Sequence, residues 1–120
     1  MKKWRNKNFI EALKHSFDGI KYTLKTENNL KVQLIFAFIA VILAIITKLN
    51  VVEWVVLVIT IGIVLFAEMV NTAIENVLDV YSEKYSDKIK VAKDIASGAV
   101  LMVSGMSVIV GGLLFLPKLI

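Results

Sequence analysis

The chain is 120 residues long and 58% hydrophobic, and its fourteen basic and ten acidic residues give a net charge of +4. With a mean hydropathy of +0.74 it holds one domain's worth of sequence, too apolar for a soluble domain of this size. It has no cysteine, which excludes disulfides, thiolate catalysis and thiolate metal centres.

Residues 1–29 read as an amphipathic segment. The amino terminus is basic, but no apolar stretch follows closely enough for a cleavable signal. Phe9, Leu13, Phe17, Ile20 and Leu24 recur at the spacing of one helix face. Lys7, Glu11, Lys14, Asp18, Lys21 and Lys25 take much of the remainder. A basic amphipathic helix of this kind lies in a membrane interface, apolar face down, where Arg5 and the lysines can hold anionic headgroups. Glu27-Asn28-Asn29 is expected to end the segment and turn the chain into the bilayer.

Three apolar stretches follow, over residues 30–46, 51–67 and 95–116, the first interrupted early by Lys31 and Gln33. Membrane helices are expected over about 30–47, 51–80 and 90–117, the second running out into water. Crossing about 30 Å of hydrocarbon takes about 20 helical residues, so the first two stretches need their polar flanks to reach headgroups. Lys48-Leu49-Asn50 is a tight turn, with Trp54 beside it as an interfacial anchor. In the third stretch Gly98, Gly105 and Gly112 are seven apart, as are Ser97, Ser104 and Gly111. A strip of small residues lets helix backbones approach closely, which places this helix centrally in a packed bundle. With only three spans per copy, an oligomer is the expected way to surround polar groups.

Eight of the basic residues precede the first span (Lys2, Lys3, Arg5, Lys7, Lys14, Lys21, Lys25, Lys31) and four lie in the 81–93 loop (Lys84, Lys88, Lys90, Lys93). The positive-inside rule puts both regions in the cytoplasm, and the carboxyl terminus and the 48–53 loop outside. This distribution accounts for the net charge without nucleic acid, for which there is no motif.

One stripe stands out. On a helix, Glu68, Asn71, Glu75 and Asp79 fall within roughly 80° of one another, and Glu68 directly follows the uninterrupted apolar run 55–67. Glu75 and Asp79 alone are equally well read as a solvated face. Glu68 is not, because an ionisable residue at membrane depth marks function by default. By depth, Glu27, Lys93 and Asp94 fall at the same cytoplasmic rim. A pore would place acids nearer the midplane, and the outer half carries almost no polar side chains. Carboxylates beside a lysine suit divalent metal and phosphate: hard oxygens hold magnesium, an ammonium pairs with phosphate, and a partly desolvated glutamate serves as base. Neither GxxxxGK[ST] nor a glycine-rich kinase loop is present. Spacing alone therefore reaches a metal-dependent site at the cytoplasmic rim.

Glu68-x-x-Asn71-Thr-Ala-Ile-Glu75-x-x-x-Asp79, followed by Ala92-Lys93-Asp94-Ile-Ala-Ser-Gly-Ala-Val100, resembles the prokaryotic diacylglycerol kinase family of small membrane lipid kinases. The likeness spans the chain: a surface helix, three spans and both motifs at the expected separation. It implies an all-α membrane protein with one 1–120 domain, assembled as a homotrimer in the bacterial plasma membrane, with composite sites using ATP and Mg2+ at the cytoplasmic face. It also implies roles: Glu68 as base on the lipid hydroxyl, with Ser97 beside the lipid; Glu27 and Glu75 as metal ligands; Asn71, Asp79, Lys93 and Asp94 on nucleotide and phosphates. Where the family has an arginine near the start of the surface helix, this chain has Asn8, with Arg5 and Lys7 nearby. The Asn- and Lys-rich 25–31 segment resembles low-GC Gram-positive members, which implies undecaprenol as acceptor, with diacylglycerol as the alternative. An ion conduit and a non-enzymatic membrane scaffold are the readings from other classes.

Overall fold

A computed structural model describes residues 5–81, 84 and 86–120; Lys2, Lys3 and positions 82, 83 and 85 of the 81–93 loop lie outside the described residues. Four helices follow in chain order: α1 (Phe9–Thr26), α2 (Asn28–Thr47), α3 (Val51–Tyr81) and α4 (Asp87–Leu119). The last three are long and apolar enough to cross a membrane. Their outward faces bear exposed Phe36, Phe38, Ile45, Phe66, Leu101 and Val108, surface that only lipid or another apolar face can solvate. The chain is an all-helical membrane protein.

α1 begins where Asn8 caps it, the side-chain Oδ1 accepting the Glu11 N–H at 2.9 Å. Phe9, Ile10 and Phe17 are exposed along it, the bare apolar face of an interfacial helix. Its one buried residue, Thr23, donates to the Gly19 carbonyl at 2.9 Å.

The break between α1 and α2 is shorter than the Glu27-Asn28-Asn29 turn expected from sequence. Only Glu27 leaves helical geometry, at φ −107° and ψ 107°, while Asn28 and Asn29 already form the first turn of α2. The Glu27 N–H still reaches the Thr23 carbonyl at 2.9 Å, and the Lys31 N–H reaches the Glu27 carbonyl at 3.4 Å. With the hydrogen-bond ladder taken up again on both sides, one extended residue suffices.

At the far end, Lys48 adopts the left-handed conformation (φ 57°) that closes α2. α3 then starts with a reciprocal cap. Asn50 Oδ1 accepts the Glu53 N–H at 2.9 Å, and Glu53 Oε1 accepts the Asn50 N–H at 3.0 Å. Lys118 Nζ lies 3.1 Å from the same Glu53 oxygen, pinning the end of α4 to the start of α3. The expected helix ends hold within a few residues: α3 stops at Tyr81, α4 starts at Asp87, and α4 runs past Pro117 to Leu119.

The buried residues divide by kind along the bundle. At the far end Ala44, Leu49, Leu57, Leu114 and Phe115 form an apolar core, with Trp54 packed against it. Toward the α1 end the buried set is Thr23, Leu30, Glu68, Asn71, Thr72 and Ala96, mostly polar. Because α3 has 31 residues against 20 in α2, and a tight turn joins them, the C-terminal third of α3 projects beyond the α1 end. α4 packs chiefly on α3. The small-residue strip does not serve that contact. A Cβ on Gly98 or Gly105 would meet nothing within 4 Å, and one on Gly112 would meet only Leu116 of its own helix. Within one chain the expected close approach at Gly98, Gly105 and Gly112 is unused, while Ser97, Ser104 and Gly111 line the space between α2, α3 and α4.

Candidate active site

Burial falls steadily along the α3 stripe. Glu68 is 1% exposed and Asn71 7%, Glu75 is half-buried and Asp79 is exposed. Helix geometry explains the shared face, and the overhang of α3 beyond α2 explains the gradient. Asn71 Nδ2 donates to Glu75 Oε1 at 2.8 Å, which fixes both side chains. Thr72 Oγ1 returns to the Glu68 carbonyl at 3.0 Å.

Glu68 is the anomaly of the fold. Among the described residues, both carboxylate oxygens are buried without a hydrogen-bond partner, as is Asn71 Oδ1. A buried charge without a partner costs several kcal/mol, so such a group persists where function holds it. The charges that act on it are the carboxylates of Glu27 and Glu75, and the amides of Asn71 and Asn29 face it. Glu27 comes from the break between α1 and α2, so two helices, α2 and α3, and one joint build the cluster.

Lys93 lies ahead of the apolar part of α4 and reaches across to α3, its Nζ 2.6 Å from Asp79 Oδ1. This hydrogen bond raises the lysine pKa above its ordinary value, with the charges of Asp79 and Glu75 adding to the effect. Asp94 is turned elsewhere: it pairs with Lys90 of its own helix at 2.7 Å and is exposed. The structure thus gathers Glu68, Asn71, Glu75 and Glu27 into one group and Asp79 with Lys93 into a second. It leaves Asp94 on the outer surface of α4.

Glu68 also stands at one end of a trough of about 620 Å³ between α2, α3 and α4. Leu57, Val64, Phe36 and Phe115 give it apolar walls, and Ser97 also lines it. Thr60 and Ser107 are on its lining, but their hydroxyls donate to the Val56 and Ser104 carbonyls of their own helices. Asn29 and Gln33, one turn apart on α2, line it as well, and Gln33 Oε1 is buried without a partner. Sequence reading took these two only as a turn residue and an interruption. The signal was available: two amides at i and i+4 on one face of an otherwise apolar run.

Among the described residues no group of three or more His, Asp or Glu side chains closes into a metal cage. Glu27 and Glu75 nevertheless suit a hard cation that keeps water and phosphate in its coordination shell. No ion pair occupies either of them among the described residues.

Comparison with known proteins agrees with this geometry. A family model for prokaryotic diacylglycerol kinase matches residues 14–115. Undecaprenol kinase of Bacillus subtilis (strain 168) is 36% identical over 92% of this chain and 90% of the relative. A diacylglycerol kinase of Synechocystis sp. is 32% identical over 94% of this chain and 65% of its own length. A diacylglycerol kinase of Helicobacter pylori (strain J99) is 29% identical over 80% of this chain and 75% of the relative. With an orphaned carboxylate at the head of an apolar trough, and the family match covering both motifs, the chain belongs to the prokaryotic diacylglycerol kinase family and is a lipid kinase.

Proposed function

We propose that this enzyme transfers the γ-phosphoryl group of ATP to the hydroxyl of a membrane lipid alcohol, with undecaprenol the preferred acceptor and diacylglycerol the second. The observation that carries this reading is Glu68: 1% exposed, both oxygens unpartnered, at the head of a trough of lipid-like walls. Undecaprenol is preferred because the relative of that name matches nearly the full length of both chains.

The acceptor lies with its tail in the trough and its hydroxyl at Glu68, which takes the proton. The freed oxygen bonds to the γ-phosphorus, the bond to the β–γ bridging oxygen breaks, and ADP leaves. Phosphoryl transfer of this kind depends mainly on positioning and charge neutralisation. Asn71 holds Glu75 in place, and Lys93, steadied by Asp79, offers an ammonium to the phosphates, with Asp94 nearby on α4. Glu27 and Glu75 would hold Mg2+, which when bound offsets phosphate charge. Ser97 sits beside the lipid hydroxyl.

The site works at the cytoplasmic face of the bacterial plasma membrane. Arg5, Lys7, Lys14, Lys21, Lys25, Lys31, Lys90 and Lys93 stand toward the α1 end, against Lys48 and Lys118 at the other. Three copies assemble as a homotrimer, with the outward glycine strip of α4 at the contact. The test is ATP turnover in mixed micelles with Mg2+ and a panel of undecaprenol, diacylglycerol and other lipid alcohols. Phosphorylation of undecaprenol with the highest kcat/KM is expected. Failure to phosphorylate any lipid alcohol would overturn the reading.

A further inference from the structure

We infer that Gln33 sets acceptor selectivity, by bonding a polar group of the lipid about one helical turn beneath the reacting hydroxyl. The inference rests on the lipid kinase reading and deepens it.

The polar residues lining the trough differ in what they have left to offer. Thr60 and Ser107 spend their hydroxyl protons on their own helix backbones, so neither offers an occupant a donor. Gln33 differs: its Oε1 is buried with no partner. Leaving a buried amide unsatisfied is costly, and α2 had apolar alternatives at this position. Gln33 follows Asn29 by four residues on the same face, which puts it about 6 Å further into the bilayer. Asn29 faces Glu68. An acceptor whose hydroxyl meets Glu68 therefore brings the atoms a few bonds behind that hydroxyl to Gln33.

Those atoms distinguish two chemical classes of acceptor. A glyceride has ester carbonyls there, which only accept, so the carboxamide flips about its last torsion to put Nε2 where Oε1 stands and donates to one of them. A polyprenol has only hydrocarbon there and leaves the amide unpaired. Gln33 thus widens the acceptor range toward glycerides at a cost to polyprenols. It leaves the phosphoryl transfer step unchanged, because the hydroxyl proton still goes to Glu68.

The experiment compares Gln33→Met, which keeps side-chain length and removes both polar atoms, with the wild type on diacylglycerol and undecaprenol. KM for diacylglycerol should rise about tenfold, the worth of one net hydrogen bond, while KM for undecaprenol falls and KM for ATP stays put. Thr60→Val is the control: its hydroxyl is already spent, so it should move both acceptors together. Equal losses on both acceptors in Gln33→Met, with lower thermal stability, would mean that Gln33 packs a neighbouring copy, and would overturn the inference. An unaltered ratio of the two KM values would overturn it too. A wild type that phosphorylates neither lipid would instead sink the lipid kinase reading itself.

Discussion

Glu68 and Asp79 share one face of α3 and have opposite surroundings. In the proposed reaction Glu68, buried and without a partner among the described residues, accepts the proton of the lipid hydroxyl. Loss of a general base typically costs 10²–10⁴-fold, so Glu68→Gln should lower kcat by roughly that factor. Directly measured ATP binding should change little, and thermal stability should hold or rise, since a buried unpaired charge is removed. Near-wild-type lipid phosphorylation in an intact mutant would disprove the assignment. Glu75→Gln and Glu27→Gln keep shape and each remove a charge, so both should need more Mg2+ for half-maximal turnover. Two unchanged magnesium titrations would show that these carboxylates only face water. In the proposed site Asp79 acts through Lys93, whose pKa it raises. The contribution of the pair is fully present below the ordinary lysine pKa and is lost as pH climbs through the raised one. Asp79→Asn should therefore move the alkaline limb of the pH–activity profile to lower pH, and an unmoved limb would show that Lys93 takes no part in turnover.

The helices carry their own instructions, and most were readable in advance. The step pattern of Phe9 to Leu24 gave α1, the apolar stretches gave α2 to α4, and Lys48-Leu49-Asn50 gave the turn. The single-residue break at Glu27 was not readable, because Asn28 and Asn29 are turn formers by local preference and were drawn into α2 by the hydrogen-bond ladder. Nor was the part of Asn8, which caps α1 by accepting the Glu11 N–H. At the site, Glu68 was legible because charge abuts an apolar run. Gln33 was legible only in part: its spacing from Asn29 is in the sequence, but its orphaned oxygen depends on what α3 and α4 place around it. The far-end cap invites a separate test. Asn50→Ala removes the acceptor of the Glu53 N–H and should cost about 1 kcal/mol of stability. Because it stands at the opposite end from Glu68, kcat should be retained; a collapse of kcat without loss of stability would contradict this account.

At the scale of the molecule, the described residues of one chain leave Glu68 without a hydrogen-bond partner, present apolar outer faces, and leave open space beside Gly98 and Gly105 of α4. Gly105→Leu has open space around it in a single chain and should leave the helices of that chain in place. In the proposed trimer it keeps backbones apart. Native mass spectrometry of the variant should show monomers and smaller assemblies, with activity falling alongside. A fully active monomer would remove both the trimer and the strip's part in it.

The joint at Glu27 has a mechanical consequence. Thr23, buried on one side of it, and Leu30, 3% exposed on the other, hold both helix ends against the bundle. The pivot between a helix suited to lie along the bilayer surface and a helix suited to cross it is therefore short and stiff. Any change in the angle between α1 and α2 turns on the backbone of Glu27, whose carboxylate is one of the charges that act on Glu68.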